Sequence, residues 1–309
     1  MCLFPRIIIN PKYKPNAKNN YNPPNLEDCR VYYAPIGCGK CIECRKQKSA
    51  GWKVRLNEDI RMNKNAVFVT LTFDEEHLLK WGSMVDDAPD KIVENEIARI
   101  AVRHFLEKWR KKTKKSVRHW LITELGHKGT ERIHIHGIIW TYDKNLIIEK
   151  WDNGFVYLGT YVNETTIGYI VKYITKIDSD HKGFEPKIFA SAGIGAGYFK
   201  RDDHKTNKFN GINTREYYQT RSGYKLNLPK YYRNKIYSDD EKEKLWINKL
   251  DKNERWVLGT KIDISKSEDR YYTILKQAHE KNKRLGYGDD TEEWSITRYK
   301  KDRKKLKKK

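Results

Sequence analysis

The stretch Glu131-Arg132-Ile133-His134-Ile135-His136-Gly137-Ile138-Ile139-Trp140 decides the fold of this chain. It is rich in isoleucine, ends in tryptophan and has no helical period, which is typical of a β-strand. Because side chains alternate between the two faces of a strand, His134 and His136 share one face and the isoleucines at 133, 135 and 139 share the other. Two imidazoles on one rigid face can bind a metal ion. The alternative is a pair of half-exposed histidines on a polar face.

The segments around this strand alternate between strand and helix patterns. They predict strands at 66–73, 118–125, 131–140 and 155–158, and helices at 45–63, 90–112, 145–151 and 165–176. From residue 66 onward, the order strand–helix–strand–strand–helix–strand indicates an α+β fold with an antiparallel sheet of split βαβ type and helices on one face. If residue 124 lies opposite residue 134, Glu124 shares the face of both histidines. A slip of one residue would turn it away.

The composition limits the partners of the chain. Among 309 residues, 63 are Lys or Arg and 41 are Asp or Glu, which gives a net charge of +22. Such a charge favours a polyanion, either nucleic acid or an anionic membrane surface. No apolar run reaches transmembrane length and the N-terminus does not resemble a signal peptide, so we expect a cytoplasmic protein. The 20 tyrosines and nine tryptophans suit base stacking, although many of them must belong to the core.

A cysteine motif follows the proline-rich first 35 residues. Cys38, Cys41 and Cys44 have the spacing C-x2-C-x2-C, which in a reducing compartment indicates metal ligands rather than disulfides. Cys2 or Cys29 could supply a fourth ligand. Zinc as a structural clip is the first interpretation, an iron–sulfur cluster the second, and thiols without a metal the third.

The helix predicted at 165–176 carries an unusual polar stripe. Tyr169, Lys172, Tyr173 and Lys176 are spaced i, i+3, i+4 and i+7, so they line one helix face. An ordinary surface helix with extended lysines is the alternative. A tyrosine beside a cation can attack a DNA phosphodiester, which gives a 5′-phosphotyrosine bond and a 3′-hydroxyl. Two tyrosines one turn apart allow two such transfers, with Lys172 as the lysine assigned a catalytic role.

A metal site would complement these tyrosines. His134, His136 and Glu124 form a set of two imidazoles and one carboxylate that leaves coordination positions open. A divalent ion held there could polarise a phosphate oxygen and offset the charge that develops during transfer.

Three segments resemble the motifs of HUH endonucleases and rolling-circle replication initiators. They are Thr70-Leu71-Thr72-Phe73, His134-Ile135-His136 and Tyr169-Ile170-Val171-Lys172-Tyr173-Ile174-Thr175-Lys176. The ordered set is more specific than any one motif.

Four further segments resemble the replication initiation proteins of microviruses, particularly the gokushovirus group. They are Met1-Cys2-Leu3, Asn10-Pro11-Lys12-Tyr13, Gly37-Cys38-Gly39-Lys40-Cys41-Ile42-Glu43-Cys44-Arg45-Lys46-Gln47 and Leu228-Pro229-Lys230-Tyr231-Tyr232. The resemblance spans about residues 1–235 and leaves the C-terminal part of the chain uncovered.

This resemblance implies an endonuclease that nicks one strand of the duplex replicative form at the origin and later rejoins the displaced circle. It implies Mg or Mn at the histidine site, single-stranded DNA and supercoiled origin DNA as partners, a host helicase and polymerase, and the cytoplasm of a bacterial host. The residues expected to contact DNA are Thr70, Thr72, Lys176 and Lys230.

The chain divides by pattern into four segments. We expect a Cys-rich N-terminal arm with a helix at 1–64, an HUH/RRM-like catalytic core at 65–180, a basic loop-rich extension at 181–235, and a helical basic region with a disordered tail at 236–309. Residues Lys300–Lys309 include eight Lys or Arg, hence the expected disorder.

Two other functions compete with the nicking enzyme. One is a single-stranded nucleic-acid-binding module with the same sheet and aromatics but no chemistry. The other is a zinc hydrolase in which the two histidines and the glutamate activate water in place of a tyrosine. The first would tolerate loss of both Tyr169 and Tyr173, and the second would leave no DNA bonded to protein.

Overall fold

The computed structural model describes residues 1–86, 92–126, 131–178, 180–181, 183–288 and 294–307. Within these ranges the strands are β1 (Arg6–Ile9), β2 (Tyr33–Ile36), β3 (Ala66–Leu71), β4 (Arg118–Leu125), β5 (Ile133–Trp140), β6 (Val156–Leu158), β7 (Ile188–Ala190), β8 (Tyr217–Gln219), β9 (Lys225–Asn227), β10 (Glu254–Val257) and β11 (Thr260–Asp263). The helices are α1 (Ile42–Met62), α2 (Glu75–Gly82), α3 (Val93–Thr113), α4 (Asn145–Lys150), α5 (Glu164–Val171), α6 (Lys230–Ile236), α7 (Asp239–Asp251), α8 (Asp269–Arg284) and α9 (Ile296–Lys304).

The chain forms two compact units. The terminal unit comprises Met1–Gly51 together with Asp203–Lys309, and the central unit comprises Trp52–Asp202. This grouping follows spatial proximity. The four functional segments at 1–64, 65–180, 181–235 and 236–309 stay a prediction.

The central unit contains one five-stranded sheet in the order β6-β3-β5-β4-β7, with every neighbouring pair antiparallel. Because β5 lies between β3 and β4, those two strands run in the same direction without touching, and α3 connects them. This is the predicted split βαβ arrangement. The pairing of β4 with β5 places Glu124 opposite His134, as the register argument required.

Helices cover both faces of this sheet. On one face, Val69 and Leu121 pack in a buried cluster with Ala101 and Phe105 of α3. On the face that bears His134 and His136, called the site face below, Trp120 and Ile138 pack with Leu56 of α1 and with Ile167 and Ile170 of α5. The prediction of helices on one face was therefore wrong. Strands that are apolar on both sides need cover on both sides, and these strands carry apolar residues beside the histidines.

The pairing of β4 with β5 requires a glycine at position 137. A Cβ atom added to Gly137 would lie 2.2 Å from the backbone oxygen of Trp120 on β4. The two strands therefore approach more closely at this point than any other residue would allow.

The ends of several elements differ from prediction. Strand β4 covers the predicted residues 118–125, whereas α5 ends at Val171 and a 3₁₀ turn continues from Lys172 to Ile174. Asn163 rather than a threonine caps α5, and its side chain accepts a hydrogen bond from the backbone of Thr166. The predicted start of the helix at residue 90 and the hairpin loop at 127–130 lie outside the described residues.

The terminal unit combines three antiparallel strand pairs, β1–β2, β8–β9 and β10–β11, with α6 to α9. Ser238 caps α7 with a reciprocal bond to Glu241. Disorder from Lys300 was wrong for the residues described, because α9 runs to Lys304 and Leu306 is buried. Buried Arg303 holds this end through Glu268, with a nitrogen–oxygen distance of 2.9 Å.

None of the helices described is both long enough and apolar enough to cross a lipid bilayer.

Candidate active site

The site face presents a short row of polar side chains from three adjacent strands. Thr70 on β3 lies directly opposite His136 on β5, and Glu124 on β4 lies opposite His134. Nδ1 of His136 is 3.0 Å from the Thr70 hydroxyl, and Nε2 of the same ring is 2.8 Å from Oε2 of Glu124. His136 is thus held on both sides by its neighbours in the sheet.

Glu124 is an ionised carboxylate at neutral pH. Burial alone would raise its pKa, but hydrogen bonds from His136 and Lys176 lower the pKa of Glu124 from its ordinary value of 4.5 to about 2. The ammonium group of Lys176 forms an ion pair with Oε1, the oxygen that His136 does not use. Both oxygens of the carboxylate therefore have a partner within the protein.

His134 stands apart from this network. Its ring centroid is 6.5 Å from that of His136. Burial and the electrostatic influence of His136 lower the pKa of His134, which favours the neutral imidazole, the form that binds metals. A hydrogen bond with the backbone of Arg132 orients the ring.

The two histidines and Glu124 supply a donor set that fits a divalent cation such as Mg, Mn or Zn. Their ligand atoms do not converge on one point in this structure. Among the residues described, the only group of three or more such side chains whose ligand atoms all lie within 4.8 Å of one another is a cysteine group in the terminal unit. A bound ion would have to replace the present partners of Glu124.

The two tyrosines of α5 and the following turn meet above His136. The Tyr173 ring stacks on the His136 ring at a centroid distance of 4.8 Å and an angle of 4°. The Tyr173 hydroxyl donates a hydrogen bond of 2.8 Å to the Tyr169 hydroxyl. Their environments differ, because Tyr169 is 44% exposed and Tyr173 only 4%. Burial, the hydrogen bond with Tyr169 and the charge of Glu124 raise the pKa of Tyr173.

Lysine side chains flank both phenols. Nζ of Lys172 is 3.8 Å from the ring centroid of Tyr169 and 5.4 Å from that of Tyr173. Nζ of Lys176 is 5.8 Å from the Tyr173 ring. These are cation–π distances, and they place positive charge beside both tyrosine rings.

The remaining residues expected to contact DNA lie elsewhere. The Thr72 hydroxyl accepts a hydrogen bond from the backbone N–H of Phe155 and donates one to the carbonyl of the same residue. These two bonds attach the residue that precedes β6 to the end of β3. Lys230 is exposed at the first position of α6 and belongs to the terminal unit.

An aromatic group next to Tyr169 was not predicted. Phe68 makes edge contacts with Tyr169 and Tyr157, at centroid distances of 6.2 and 6.3 Å. Tyr157, Phe155 and Tyr161 are all more than half exposed. The sequence signal was Phe68 on the wetter face of its strand and the aromatic-rich run from 155 to 161. Only the pairing of β6 with β3 brings Tyr157 beside Phe68, which in turn contacts Tyr169.

Cys2, Cys38, Cys41 and Cys44, called the cysteine cluster below, come together in the terminal unit. Cys2 is therefore the fourth member that the sequence left open, and Cys29 is not part of the group.

Comparison with known proteins identifies relatives for part of the chain. Residues 66–178, which contain the sheet strands β3 to β6 and both tyrosines, match the family described as Replication-associated protein ORF2. Replication-associated protein ORF2 of Spiroplasma virus 4 is 26% identical over 226 residues, which cover 64% of this chain and 66% of that protein, just under two thirds of its length. The catalytic domain of the Adeno Associated Virus type 5 Rep protein shares 17% identity, covering 42% of this chain and 75% of that one. Its TM-score of 0.19 is too low for the likeness to support a conclusion about this chain. The chain is thus similar to viral replication-associated proteins, and the similarity includes the segment that carries the site.

Proposed function

We propose that this protein initiates rolling-circle replication of a small viral DNA by nicking one strand with a tyrosine and later rejoining it. The observation that carries the proposal is the placement of two tyrosine hydroxyls 2.8 Å apart beside His136, Glu124 and two lysines. Neither a water-dependent hydrolase nor a binding module requires two adjacent tyrosine hydroxyls in this position. The match of residues 66–178 to replication-associated proteins supports the same function.

Tyr169 is the nucleophile of the first cleavage in this proposal. It is the more exposed phenol, its hydroxyl oxygen accepts the bond from Tyr173, and Lys172 lies against its ring. Its oxygen bonds to the phosphorus while the bond from phosphorus to the 3′ oxygen breaks. The proton lost by the phenol is balanced by the proton gained by the 3′-hydroxyl, and the energy of the phosphoester is kept in the 5′-phosphotyrosine bond.

Tyr173 is the nucleophile of the second transfer. Its hydroxyl is buried beneath that of Tyr169, and its raised pKa keeps it protonated while Tyr169 acts. Once the Tyr169 oxygen is bonded to phosphorus, Tyr173 is the phenol still able to attack a new phosphodiester. The free 3′-hydroxyl can then attack the first phosphotyrosine and close a circle.

The histidines and Glu124 would hold the divalent ion, Mg or Mn by resemblance, and such an ion polarises a phosphate oxygen when bound. The protein's own task is orientation. The Thr70 hydroxyl lies 3.0 Å from Nδ1 of His136 and orients this ring with Nε2 toward Glu124, and the backbone of Arg132 orients His134. We propose that Lys176 turns to the DNA phosphate when a cation takes its place at Glu124.

The charge of +22 and the exposed aromatics near Tyr169 support binding of single-stranded DNA and of supercoiled origin DNA. By the same resemblance, a host helicase and polymerase would extend the freed 3′ end in the cytoplasm of a bacterial host. Thr70, Lys176 and Lys230 remain proposed DNA contacts, whereas Thr72 acts through the backbone of Phe155.

The test uses labelled single-stranded fragments that tile the genome encoding this protein, incubated with the full chain and Mn and analysed on denaturing gels. We expect label bonded to protein with the wild type and with Tyr142→Phe, a matched change at an exposed tyrosine beyond the end of β5. The label should be lost in the Tyr169→Phe/Tyr173→Phe double variant. Cleaved DNA without attached protein would establish the hydrolase instead. Salt-sensitive binding to every fragment with no cleavage would establish the binding module.

A further inference from the structure

The cysteine cluster has the dimensions of a site for one metal ion. Sγ of Cys2 lies 3.6 Å from Sγ of Cys38 and 3.9 Å from Sγ of Cys41, and all four Sγ atoms lie within 4.8 Å of one another. Four sulfurs at about 2.3 Å from a tetrahedral zinc ion stand about 3.8 Å apart. The four cysteines are not joined by disulfide bonds.

The backbone around the cluster donates hydrogen bonds to the sulfurs. The N–H groups of Cys38 and Phe4 lie 3.2 and 3.3 Å from Sγ of Cys2. The N–H of Leu3 lies 3.5 Å from Sγ of Cys41, and the N–H of Cys41 lies 3.3 Å from Sγ of Cys38. Such donors stabilise thiolates, which are the metal-binding form of cysteine. Four thiolates this close would repel one another unless a cation lay between them.

The loop that carries Cys38 and Cys41 is shaped by two glycines. A Cβ added to Gly37 would lie 3.1 Å from Sγ of Cys44, so a larger residue would crowd the sulfurs. Gly39 has φ +82°, a left-handed conformation that lets the chain turn back between the two cysteines.

The start of the chain is buried beside the cluster. Leu3 and Phe4 pack in an apolar cluster with residues of β10, β11, α8 and α9. The Phe4 ring stacks on His279 at 4.3 Å, and His279 donates a hydrogen bond of 2.7 Å to the Leu3 carbonyl. The Trp294 indole N–H donates one of 3.0 Å to the carbonyl of Pro5.

We propose that the four cysteines bind one zinc ion and that this ion fastens the first five residues of the chain onto the C-terminal helices of the terminal unit. Cys2 is the only one of the four from outside the 38–44 segment, so the ion joins residues that are 36 positions apart in the chain. A metal that closes the loop between these residues lowers the conformational entropy of the unfolded chain and so stabilises the folded state. A cluster of two or four irons would place the sulfurs on different metal atoms and hence farther apart, which favours a single ion.

The first measurement is the metal content of the purified full-length protein by mass spectrometry. We expect one zinc per chain in the wild type, the same in Cys29→Ser, and its loss in Cys41→Ser. Acid-labile sulfide or substoichiometric zinc in the wild type would overturn the proposal. So would zinc that is lost in His136→Ala and retained in Cys41→Ser.

A second measurement avoids variants that fail to fold. In the wild type, a mercurial that modifies thiols should release the zinc to a coloured chelator, and hydrogen exchange at the Leu3 and Phe4 amides should then speed up strongly. Zinc release with unchanged exchange at these amides would refute the fastening role. Neither readout depends on DNA cleavage, so this proposal and the nicking reaction can fail independently.

Discussion

Replacing Tyr173 by phenylalanine removes one oxygen atom from the centre of the proposed site. The ring that stacks on His136 stays, and the hydrogen bond of 2.8 Å to the Tyr169 hydroxyl is deleted. If Tyr169 performs the first cleavage, the Tyr173→Phe variant should still form a covalent DNA adduct, but more slowly. It should fail completely in the second transfer, because its second nucleophile is absent.

The size of the first effect can be worked out from the lost bond. The Tyr169 oxygen gives up its proton during attack, and a hydrogen bond to a charged group contributes about 1.5–3 kcal/mol. Since each 1.36 kcal/mol corresponds to a factor of ten in rate, adduct formation by Tyr173→Phe should slow by about 10- to 150-fold. Tyr169→Phe should fall further, because the exposed nucleophile itself is missing.

The assay is a single-turnover time course with labelled single-stranded origin DNA, quenched in detergent and resolved on a denaturing gel. A second labelled origin oligonucleotide, added after the first adduct has formed, reports the second transfer as a second strand bonded to the same chain. Tyr142→Phe controls for the loss of a tyrosine hydroxyl in the same unit. Wild-type adduct formation in Tyr173→Phe would show that the hydrogen bond does not activate Tyr169. Wild-type adduct formation in Tyr169→Phe would refute the order of the two tyrosines.

Three further variants test the sheet, the carboxylate and the aromatic surface. Gly137→Ala should lower the free energy of unfolding, measured by chemical denaturation, by on the order of 3 kcal/mol or more, because the new Cβ would lie 2.2 Å from a backbone oxygen. The control is Gly168→Ala in helix α5, where a new Cβ meets no atom within 4 Å. It should raise the free energy of unfolding by about 0.5–1 kcal/mol. Glu124→Gln should destabilise the protein at neutral pH. Because the folded pKa of Glu124 is lowered from 4.5 to about 2, the difference from wild type should be full above pH 4.5 and shrink as the pH falls toward 2. Tyr157→Ala should weaken single-stranded DNA binding by about 1–3 kcal/mol in fluorescence anisotropy at fixed salt, more than Tyr142→Ala beyond the far end of β5.

Each of these variants has an outcome that contradicts the physical argument. Equal stability of the two alanine variants would mean that the strands can separate at Gly137 without loss. If the stability difference between wild type and Glu124→Gln instead grows as the pH falls, the fold disfavours the ionised form of Glu124. Equal DNA affinity of Tyr157→Ala and Tyr142→Ala would show that Tyr157 does not contribute to DNA binding.

The sequence predicted the site face because local rules govern it. The period of two in Ile133–Trp140 orients both histidines, and a short hairpin leaves few registers for Glu124. The i, i+4 spacing also predicted that the two tyrosines would meet. These features depend only on strand and helix geometry.

The same spacing could not predict which tyrosine is buried. That difference depends on how α5 packs on Trp120 and Ile138, and thus on contacts between residues far apart in the chain. The choice of Cys2 over Cys29 has the same origin, because Leu3 and Phe4 must first pack among residues after position 250. In each case the decisive partner is distant in sequence, and periodicity carries no information about it.

The electrostatics of the site link the proposed cation to the proposed substrate. Glu124 contributes one negative charge, and Lys172 and Lys176 contribute two positive charges, so the group is already suited to one phosphate. A divalent ion at Glu124 and the histidines would add two further positive charges while Lys176 occupied the same carboxylate. In so small a volume these charges repel strongly. Movement of Lys176 from Glu124 toward a DNA phosphate removes that conflict, because the divalent ion is then paired with Glu124 and Lys176 with the phosphate. On this reasoning, binding of the cation and binding of the DNA strand would assist each other.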